Sequence, residues 1–595
     1  MDKNKIIGFL FLVGICVLVF VQKPSKPLPE GKEFVDRGEG EATSPTPAEE
    51  PASFIREKSL EVDALLSGSR QEESAEGSGS SEEIYVLEND YIAVQFTTRG
   101  GAIKAVAFKK YAAQVDARRD PGRDPYQFNG LSKTPALGMG IVDDSGKPRK
   151  HDKVYRLLSR EEDVIRFAVE LEKGIQIIRS YGIHKDTQAG DPYTIKHTTR
   201  FMNTSEEALA LNKLYVELGT AAPSLSDSNR FAYYDGQRVR FINLLKFTGR
   251  PGFLGFFSKE PQPPVSKSLS PLIWAAVKNQ FFTSILTSKT PGVGFYAGAE
   301  NLSGSVEGNV PQKGITGSVQ FEIGSVPAGG EQLLEFEYYS GPKEFRRLQA
   351  MPDQQEALMQ FPPVIGFLSK LLLSFMLFLE SYLSNWGWSI VVMTICIKIL
   401  FWPLTAKSTR SQKAMQKLQA PLKEIREKYK DNPKKLQTEM MKLYREHKVN
   451  PVAGCLPLLI QMPIFFALFY MLRSASELRF AEFLWIKDLS QADTVAEIAG
   501  LPINVLPIIM GVTMFWQMQL APTQATEAIQ QKVFKFLPFV FFIICYNFSA
   551  GLVLYWTVQN LLTILQQKLS NRNETPDAAP APMALNGPKA KKRKK

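Results

Sequence analysis

Residues 385–405 read NWGWSIVVMTICIKILFWPLT, an apolar run with a single charged residue, Lys398. A helix that crosses a bilayer needs about 20 mostly apolar residues, and this run has that length. Nine residues separate Lys398 from the next cation, Lys407, which corresponds to about 13 Å of helix. The run therefore predicts a membrane-spanning helix over 387–404, whose one charge lies in the hydrocarbon of the cytoplasmic half.

The composition of the whole chain excludes several classes of protein. The 595 residues carry a formal net charge of +11 and are 44% hydrophobic and 22% charged, which excludes a fibrous or wholly disordered chain. The four cysteines lie in or beside apolar runs, so neither a disulfide framework nor a CxxC zinc site is expected. The four histidines never approach HExxH spacing, and no P-loop is present. We expect no metal and no cofactor.

Further apolar runs outline a helical membrane domain. They lie at 6–21, 452–472, 501–520, 535–548 and 551–568. The first run could also be a cleaved signal peptide, but no A-x-A site follows it, which favours an uncleaved anchor. The run 361–383 carries Lys370, Ser374 and Ser381 near one helical face, a pattern typical of a helix in the membrane interface.

The distribution of basic residues predicts the topology. Loop 405–451 holds 13 basic and 5 acidic residues, and the tail from Lys568 holds 8 and 2. Cytoplasmic segments carry the excess of Lys and Arg, so both segments are expected in the cytosol. With 361–383 in the interface, the chain has six spans and both termini are cytoplasmic. Loop 405–451 also has helical spacing on either side of Asp431-Asn432-Pro433, which predicts a helical hairpin.

The polar part of the chain divides into a linker and a β-rich domain. Residues 22–83 are rich in Pro, Glu, Ser and Gly, a composition that cannot bury a core. From Ile84 onward, apolar residues alternate with polar ones between Gly, Pro and Asn-Asp turns, which indicates antiparallel strands. The predicted domains are an anchor (1–21), an acidic linker (22–83), an extracytoplasmic β-sandwich (84–345), a connecting and interfacial helix (346–385), a five-helix core with its hairpin (386–568) and a basic tail (569–595).

Polar residues at membrane depth suggest a hydrophilic groove around Lys398. A lysine there costs roughly 2.5 to 3.5 kcal/mol. Snorkelling to the interface is the alternative, although the side chain bridges only part of the distance. The predicted groove residues are Lys398, Thr394, Gln461, Gln517, Trp556 and Asn560. Each polar residue could instead join helices by hydrogen bonds. Met462, Phe465, Met510 and Met514 could form either packing surface or a slide for apolar ligands.

Long motifs carry a resemblance to a known family. They are the run 385–405 already quoted, KVNPVAGCLPLLIQMPIFFALFYML (448–472), LPIIMGVTMFWQMQLAPT (506–523) and SAGLVLYWTVQNLLTILQQ (549–567). With TRGGAI (98–103) and WAAVKNQFFTS (274–284), the chain resembles the YidC membrane protein insertase family in its Gram-negative form.

The resemblance implies a fold and a set of functional residues. It implies a polytopic α-helical membrane protein whose five core helices surround a groove open to the cytosol and lipid, with an all-β periplasmic supersandwich. The family's groove cation falls on Lys398, where many members have arginine. The groove threonine falls on Thr394, and the substrate-contacting aromatic falls on Trp556. The implied partners are nascent membrane proteins, ribosome–nascent-chain complexes, the Sec translocon, targeting factors and membrane lipids.

The function expected from these observations is insertion of nascent transmembrane segments into the bacterial inner membrane, without enzymatic chemistry. Two alternatives remain open at this point. A secondary transporter or channel for a small anion could use Lys398 as its binding charge, although the apolar segments show no internal repeat. A structural assembly factor could hold its partners through the β domain.

Overall fold

The computed structural model of the chain describes most of the β-rich part and the helical part. The described residues are 82–114, 124–142, 148–171, 174–185, 187, 190–211, 213–223, 229–249, 258–307, 310–447, 449, 456–498, 501–520 and 528–572. The predicted anchor (1–21), the acidic linker up to residue 81 and the tail beyond residue 572 lie outside the described residues.

Strands occupy the chain from Ile84 to Pro342. They are β1 (Ile84–Glu88), β2 (Ile92–Thr97), β3 (Ala102–Ala112), β4 (Pro125–Phe128), β5 (Met139–Val142), β6 (Pro148–Lys150), β7 (Arg156–Arg160), β8 (Val164–Leu171), β9 (Ile175–Ile183), β10 (Thr194–Asn203), β11 (Leu209–Ala210), β12 (Lys213–Ala221), β13 (Arg230–Tyr234), β14 (Val239–Asn243), β15 (Val265–Lys278), β16 (Phe282–Glu307), β17 (Val310–Glu322), β18 (Ser325–Val326) and β19 (Glu331–Pro342). The expectation of a β-rich domain is therefore confirmed.

Two antiparallel sheets form most of this domain. The smaller sheet has the order β1-β2-β3-β4. The larger sheet follows the path β6-β5-β12-β17-β16-β19-β10-β9-β8-β7, and β15 links β16 to β13 and β14. Alternation of side chains fixes the register: in the β10–β19 pair, His197 lies opposite Phe336 and both face the core.

The two sheets pack face to face through aromatic side chains. The Phe96 ring of β2 lies 4.8 Å from the Tyr181 ring of β9 and 6.1 Å from the Phe167 ring of β8. Gly101 precedes β3 with a φ of +52°, and a Cβ there would lie 3.0 Å from the Tyr155 ring. The TRGGAI motif thus needs glycine both for its backbone conformation and for close packing.

Helices dominate the remainder. They are α1 (Leu245–Thr248), α2 (Phe345–Ala350), α3 (Gly366–Leu383), α4 (Trp386–Lys417), α5 (Gln419–Lys428), α6 (Pro433–Glu446), α7 (Leu456–Ser474), α8 (Val505–Leu520), α9 (Ala528–Cys545) and α10 (Ala550–Arg572). A short hairpin of β20 (Thr494–Ile498) and β21 (Leu501–Asn504) precedes α8.

Helix α4 is longer than the apolar run that predicted it. Asn385 caps its start by accepting a hydrogen bond from the Trp388 N–H at 3.0 Å. The helix continues through Pro403 into the basic loop and ends only at Lys417. The predicted hairpin is then completed by α5 and α6, and Asn432 caps α6 with Pro433 at its first position.

The segment predicted as the span 501–520 begins as a strand. Leu501–Asn504 pairs with β20, and the helix starts at Val505. The Asp493 carboxylate accepts the Leu506 N–H at 2.6 Å, which satisfies one of the free donors at the start of α8. Helix α8 therefore has 16 residues.

Among the described residues, α3 and α4 are long and apolar enough to cross a membrane, and α8 is apolar but shorter. Helix α3 also contacts the extracytoplasmic segments through its polar face. The Lys370 ammonium lies 3.6 Å from the Glu356 carboxylate and 5.9 Å from the centre of the Phe345 ring. These contacts favour an interfacial position for α3, and the count of six spans stays a prediction.

Candidate functional site: a polar seam along the last helix

Lys398 belongs to α4, and its side chain contacts α10. Only 5% of the residue is exposed, and its ammonium donates a hydrogen bond to the Thr563 hydroxyl of α10 at 2.8 Å. No carboxylate lies within 4.0 Å of it in the part of the chain that the structure describes. A lysine ammonium has three donors, so a single neutral acceptor leaves this cation incompletely compensated.

Helix α10 also contacts α4 one turn further along. The Gln566 amide donates to the Thr405 hydroxyl at 2.9 Å, and Gln566 is 4% exposed. Thr563 and Gln566 are three residues apart and therefore share one face of α10. Two polar pairs thus join these helices.

Helix α10 also makes polar contacts to α7 and α8. Gln559 donates to the Gln461 Oε1 atom of α7 at 3.3 Å, and Gln461 donates to the Tyr555 hydroxyl. Asn560 donates to the Thr513 hydroxyl of α8 at 3.3 Å and to the Met510 carbonyl at 3.4 Å. We call these interhelical contacts the polar seam; its members are Lys398, Thr405, Gln461, Thr513, Tyr555, Gln559, Asn560, Thr563 and Gln566.

Not every predicted groove residue belongs to the seam. Thr394 is buried, but its hydroxyl donates back to the Ile390 carbonyl of its own helix at 2.6 Å. Gln517 has a buried Oε1 atom without a hydrogen-bond partner among the described residues. Trp556 packs against the rings of Phe465 and Phe541, at 4.7 and 5.0 Å between centroids.

The predicted apolar slide is divided between interior and surface. Met510 is fully buried and Phe465 is 7% exposed, whereas Met462 is 36% exposed. Met514 is half-buried. Phe465 and Trp556 are in ring contact, so the slide residue of α7 adjoins the aromatic residue of α10.

Sequence reasoning missed Thr563, Gln559 and Gln566. Their spacing of four and then three residues in an otherwise apolar helix places all three on one side of α10. This polar face of the helix could have been recognised from the sequence. The partner of Lys398 could not be identified from it, because the sequence does not show which helix faces meet.

Comparisons with known proteins first show to which class of protein the chain belongs. The family described as 60Kd inner membrane protein matches residues 378–577, and the YidC periplasmic domain matches residues 85–374. The fold and the matches therefore describe a bacterial inner membrane protein with a β-rich periplasmic domain and apolar helices.

Individual relatives define the family. Membrane protein insertase YidC of Geotalea daltonii is 31% identical over 503 residues, which cover 82% of this chain and 86% of the relative. The Syntrophus aciditrophicus insertase YidC is 29% identical over 588 residues, covering 96% and 100%. A crystal structure of an active YidC insertase with its first transmembrane domain resolved covers 86% of this chain and 98% of its own, at 19% identity and a TM-score of 0.33. The chain belongs to the YidC membrane protein insertase family, as the motifs predicted.

Proposed function

We propose that the chain moves nascent transmembrane segments from the cytosol into the inner membrane, and that the polar seam forms the path for their polar flanks. The observation that carries this proposal is Lys398, a buried cation at membrane depth whose only hydrogen-bond acceptor among the described residues is the neutral Thr563 hydroxyl. Membership of a family of membrane protein insertases supports the same function.

The cation supplies electrostatic attraction where water is scarce. An ion pair at 4 Å gains about 1 kcal/mol in water and about 4 kcal/mol at an effective dielectric constant of 20. A client segment with an acidic flank would therefore pair with Lys398 more strongly in the seam than in the cytosol. Lysine is a point charge without the planar fork of arginine, so the pairing depends on charge more than on shape.

The other seam residues offer hydrogen bonds to the crossing chain. Backbone groups that leave water cost several kcal/mol each when they stay unpaired in hydrocarbon. Gln461 and Gln559 can exchange their contact with each other for contacts with a client, and Gln566 can likewise exchange its contact with Thr405. The barrier to moving a short polar flank falls accordingly.

The energy of insertion comes from the client and the membrane. Burial of apolar surface contributes about 25 cal/mol per Å², and the membrane potential contributes about 2.3 kcal/mol per charge for each 100 mV. The mechanism needs no nucleotide and no covalent intermediate.

The proposal includes a topology and partners. The six-span arrangement places the hairpin helices α5 and α6 and the basic tail in the cytosol. Basic residues there would receive ribosome–nascent-chain complexes and targeting factors, because phosphate-rich surfaces attract Lys and Arg without sequence specificity. Cooperation with the Sec translocon belongs to the same proposal.

A reconstituted insertion assay tests the proposal. Liposomes that contain only this protein should insert a Sec-independent client, as measured by protection of its extracytoplasmic tail from protease. Lys398→Arg should keep activity, and Lys370→Ala serves as a control that removes a cation outside the seam. Loss of insertion in both variants would contradict the proposal. Failure of the natural chain to insert the client into liposomes would contradict it as well.

A further inference from the structure

The loop that follows α7 packs onto the β domain. We call residues 475–493 the outer loop. Its Arg479 guanidinium donates hydrogen bonds to the carbonyls of Ala112 and Ala113, at 2.6 and 3.2 Å, at the end of β3. These residues are more than 360 positions apart in the chain, so the contact joins the β domain to the helical core.

Aromatic rings surround the same guanidinium. Its central carbon lies 5.3 Å from the centre of the Tyr126 ring, 5.9 Å from that of Phe281 and 5.2 Å from that of Phe282. Phe480 of the outer loop approaches within 4.1 Å. Ring faces attract cations, and here they act together with two carbonyl dipoles. Arg479 has no carboxylate within 4.0 Å among the described residues, so it is held by the β domain rather than by an ion pair.

The KNQFF motif builds the other half of this contact. The Asn279 side-chain oxygen accepts the N–H groups of Phe281 and Phe282, at 3.0 and 2.8 Å, and its amide donates to the Tyr126 hydroxyl at 2.9 Å. These three hydrogen bonds are made within the β domain, without a contribution from the outer loop. Its Gln280 amide donates to the Arg473 carbonyl at 3.3 Å, in the last turn of α7, where helical carbonyls lack partners within the helix.

The far end of the outer loop holds the start of α10. The Ala550 N–H donates to the Gln491 carbonyl at 2.6 Å, and the Gly551 N–H donates to the Leu489 carbonyl at 2.9 Å. One loop thus connects the β domain, the end of α7 and the beginning of α10. Helices α7 and α10 are two of the helices that meet in the polar seam.

We propose that Arg479 and Gln280 make the β domain a positioning element of the helical core, which fixes the outer end of α7 and, through the outer loop, the start of α10. The WAAVKNQFFTS motif is then a docking turn for the core rather than part of a ligand site. The consequence for insertion rests on the proposed function, whereas the docking itself does not.

Hydrogen exchange of the full-length protein in lipid nanodiscs tests the docking. In Arg479→Ala we expect the outer turn of α7 and the first turn of α10 to exchange about tenfold faster or more, since a charged group leaves two carbonyls and four rings. Gln280→Ala should affect only the end of α7, and Arg479→Lys should lie between the natural chain and Arg479→Ala. Lys487→Ala is the matched control, because it removes one exposed cation from the same loop.

Exchange in β9 and β10 reports whether the β domain stays folded. If exchange in those strands is also faster in Arg479→Ala, the docking is judged from Gln280→Ala, because this variant loses one amide contact and no charge. Unchanged exchange at the outer end of α7 in Gln280→Ala would overturn the docking role of Gln280. Unchanged exchange there in an Arg479→Ala variant whose β domain stays folded would overturn the whole proposal.

Insertion assays separate this proposal from the proposed function. Loss of positioning should slow clients with acidic and with neutral flanks equally, by a few-fold, whereas loss of the seam cation affects acidic flanks alone. Faster exchange with normal insertion of both clients would overturn the positioning role. Faster exchange and slower insertion of both clients, together with no effect of Lys398→Ala, would support positioning and contradict the electrostatic role of the seam.

Discussion

Arg179 in the β domain and Lys398 in the helical core are both buried cations without an ion pair among the described residues, yet their surroundings differ. Arg179 is fully buried on β9, and its guanidinium donates to the Gly100 carbonyl at 2.7 Å and to the Leu137 carbonyl. Both acceptors are backbone carbonyls of buried turn residues, which the packed domain holds in place. Lys398 instead donates to one side-chain hydroxyl, and its two other donors have no acceptor among the described residues.

The acceptors of a buried cation distinguish a structural role from a functional one. A guanidinium that is bound by fixed backbone acceptors fastens the TRGGAI turn to the sheet, and nothing else can approach it. An ammonium that is bound by one rotatable hydroxyl can exchange that partner for a client carboxylate. Arg179 therefore belongs to the stability of the β domain, and Lys398 belongs to the proposed insertion path.

The largest expected effect comes from Arg179→Met. Two buried carbonyls would lose their donor, at about 1–3 kcal/mol each, and the loss of packing around the Tyr181 ring adds to this cost. We expect the free energy of unfolding of the β domain to fall by about 3 kcal/mol or more. Denaturant unfolding of the full chain, followed by exchange of β9 and β10, measures it. An Arg179→Met variant as stable as the natural chain would show that Arg179 does not stabilise the β domain.

Lys398→Ala should affect insertion rather than stability. Stability should change little, because the lysine has one hydrogen bond and a costly position in the membrane. Insertion of clients with acidic flanks should fall about tenfold, which corresponds to about 1.4 kcal/mol. Clients with neutral flanks should insert nearly normally, and Lys398→Arg should resemble the natural chain. Equal loss for both kinds of client at normal protein levels would remove the electrostatic role.

A third ionisable group, the half-buried Glu477, should respond to pH. Burial, followed by the nearby Glu344 carboxylate, raises the pKa of Glu477 in the outer loop from 4.5 to about 7. Its other neighbours are the Ser476 hydroxyl, the Phe345 N–H and Tyr111, whose hydroxyl donates to Glu344. Because the folded-state pKa is raised, docking of the loop is strongest below about pH 4.5 and weakens as pH rises through 7.

Hydrogen exchange across the outer loop measures this dependence. After correction for the intrinsic pH dependence of exchange, the loop should exchange several-fold faster at pH 8 than at pH 6. In Glu477→Gln the difference should disappear, since the amide cannot ionise. A natural chain whose corrected exchange is equal at both pH values would show that Glu477 does not titrate in this range.

The smallest expected effect is that of Thr563→Val. This variant removes the acceptor for Lys398 while it keeps the shape of the side chain. Interhelical hydrogen bonds in membranes contribute about 0.6 kcal/mol on average, so insertion of acidic clients should change about two- to threefold. Thr563→Ser should restore the natural rate. An effect of Thr563→Val as large as that of Lys398→Ala would mean that the hydroxyl positions the ammonium.

The sequence predicts much of this architecture for identifiable physical reasons. Alternating residues such as those of β2 determine a strand and its buried face together, and a lone lysine among apolar residues is easily recognised. The start of α8 at Val505 was not predictable, because it depends on pairing with β20 and on the Asp493 carboxylate. The Thr563 partner of Lys398 and the aromatic site of Arg479 are contacts between distant segments, which no local pattern encodes.

Cross-linking of a client to the polar seam shows whether the acidic flank of the client passes beside Lys398. In a full-length variant without native cysteines, Thr563→Cys should form a disulfide with a cysteine placed in the acidic flank of a stalled client. Leu561→Cys, two residues away and 47% exposed, is the matched control and should not. Replacing the acidic flank by a neutral one should weaken the cross-link at position 563. A cross-link at position 561 and none at 563, or one unaffected by the charge of the flank, would contradict the account.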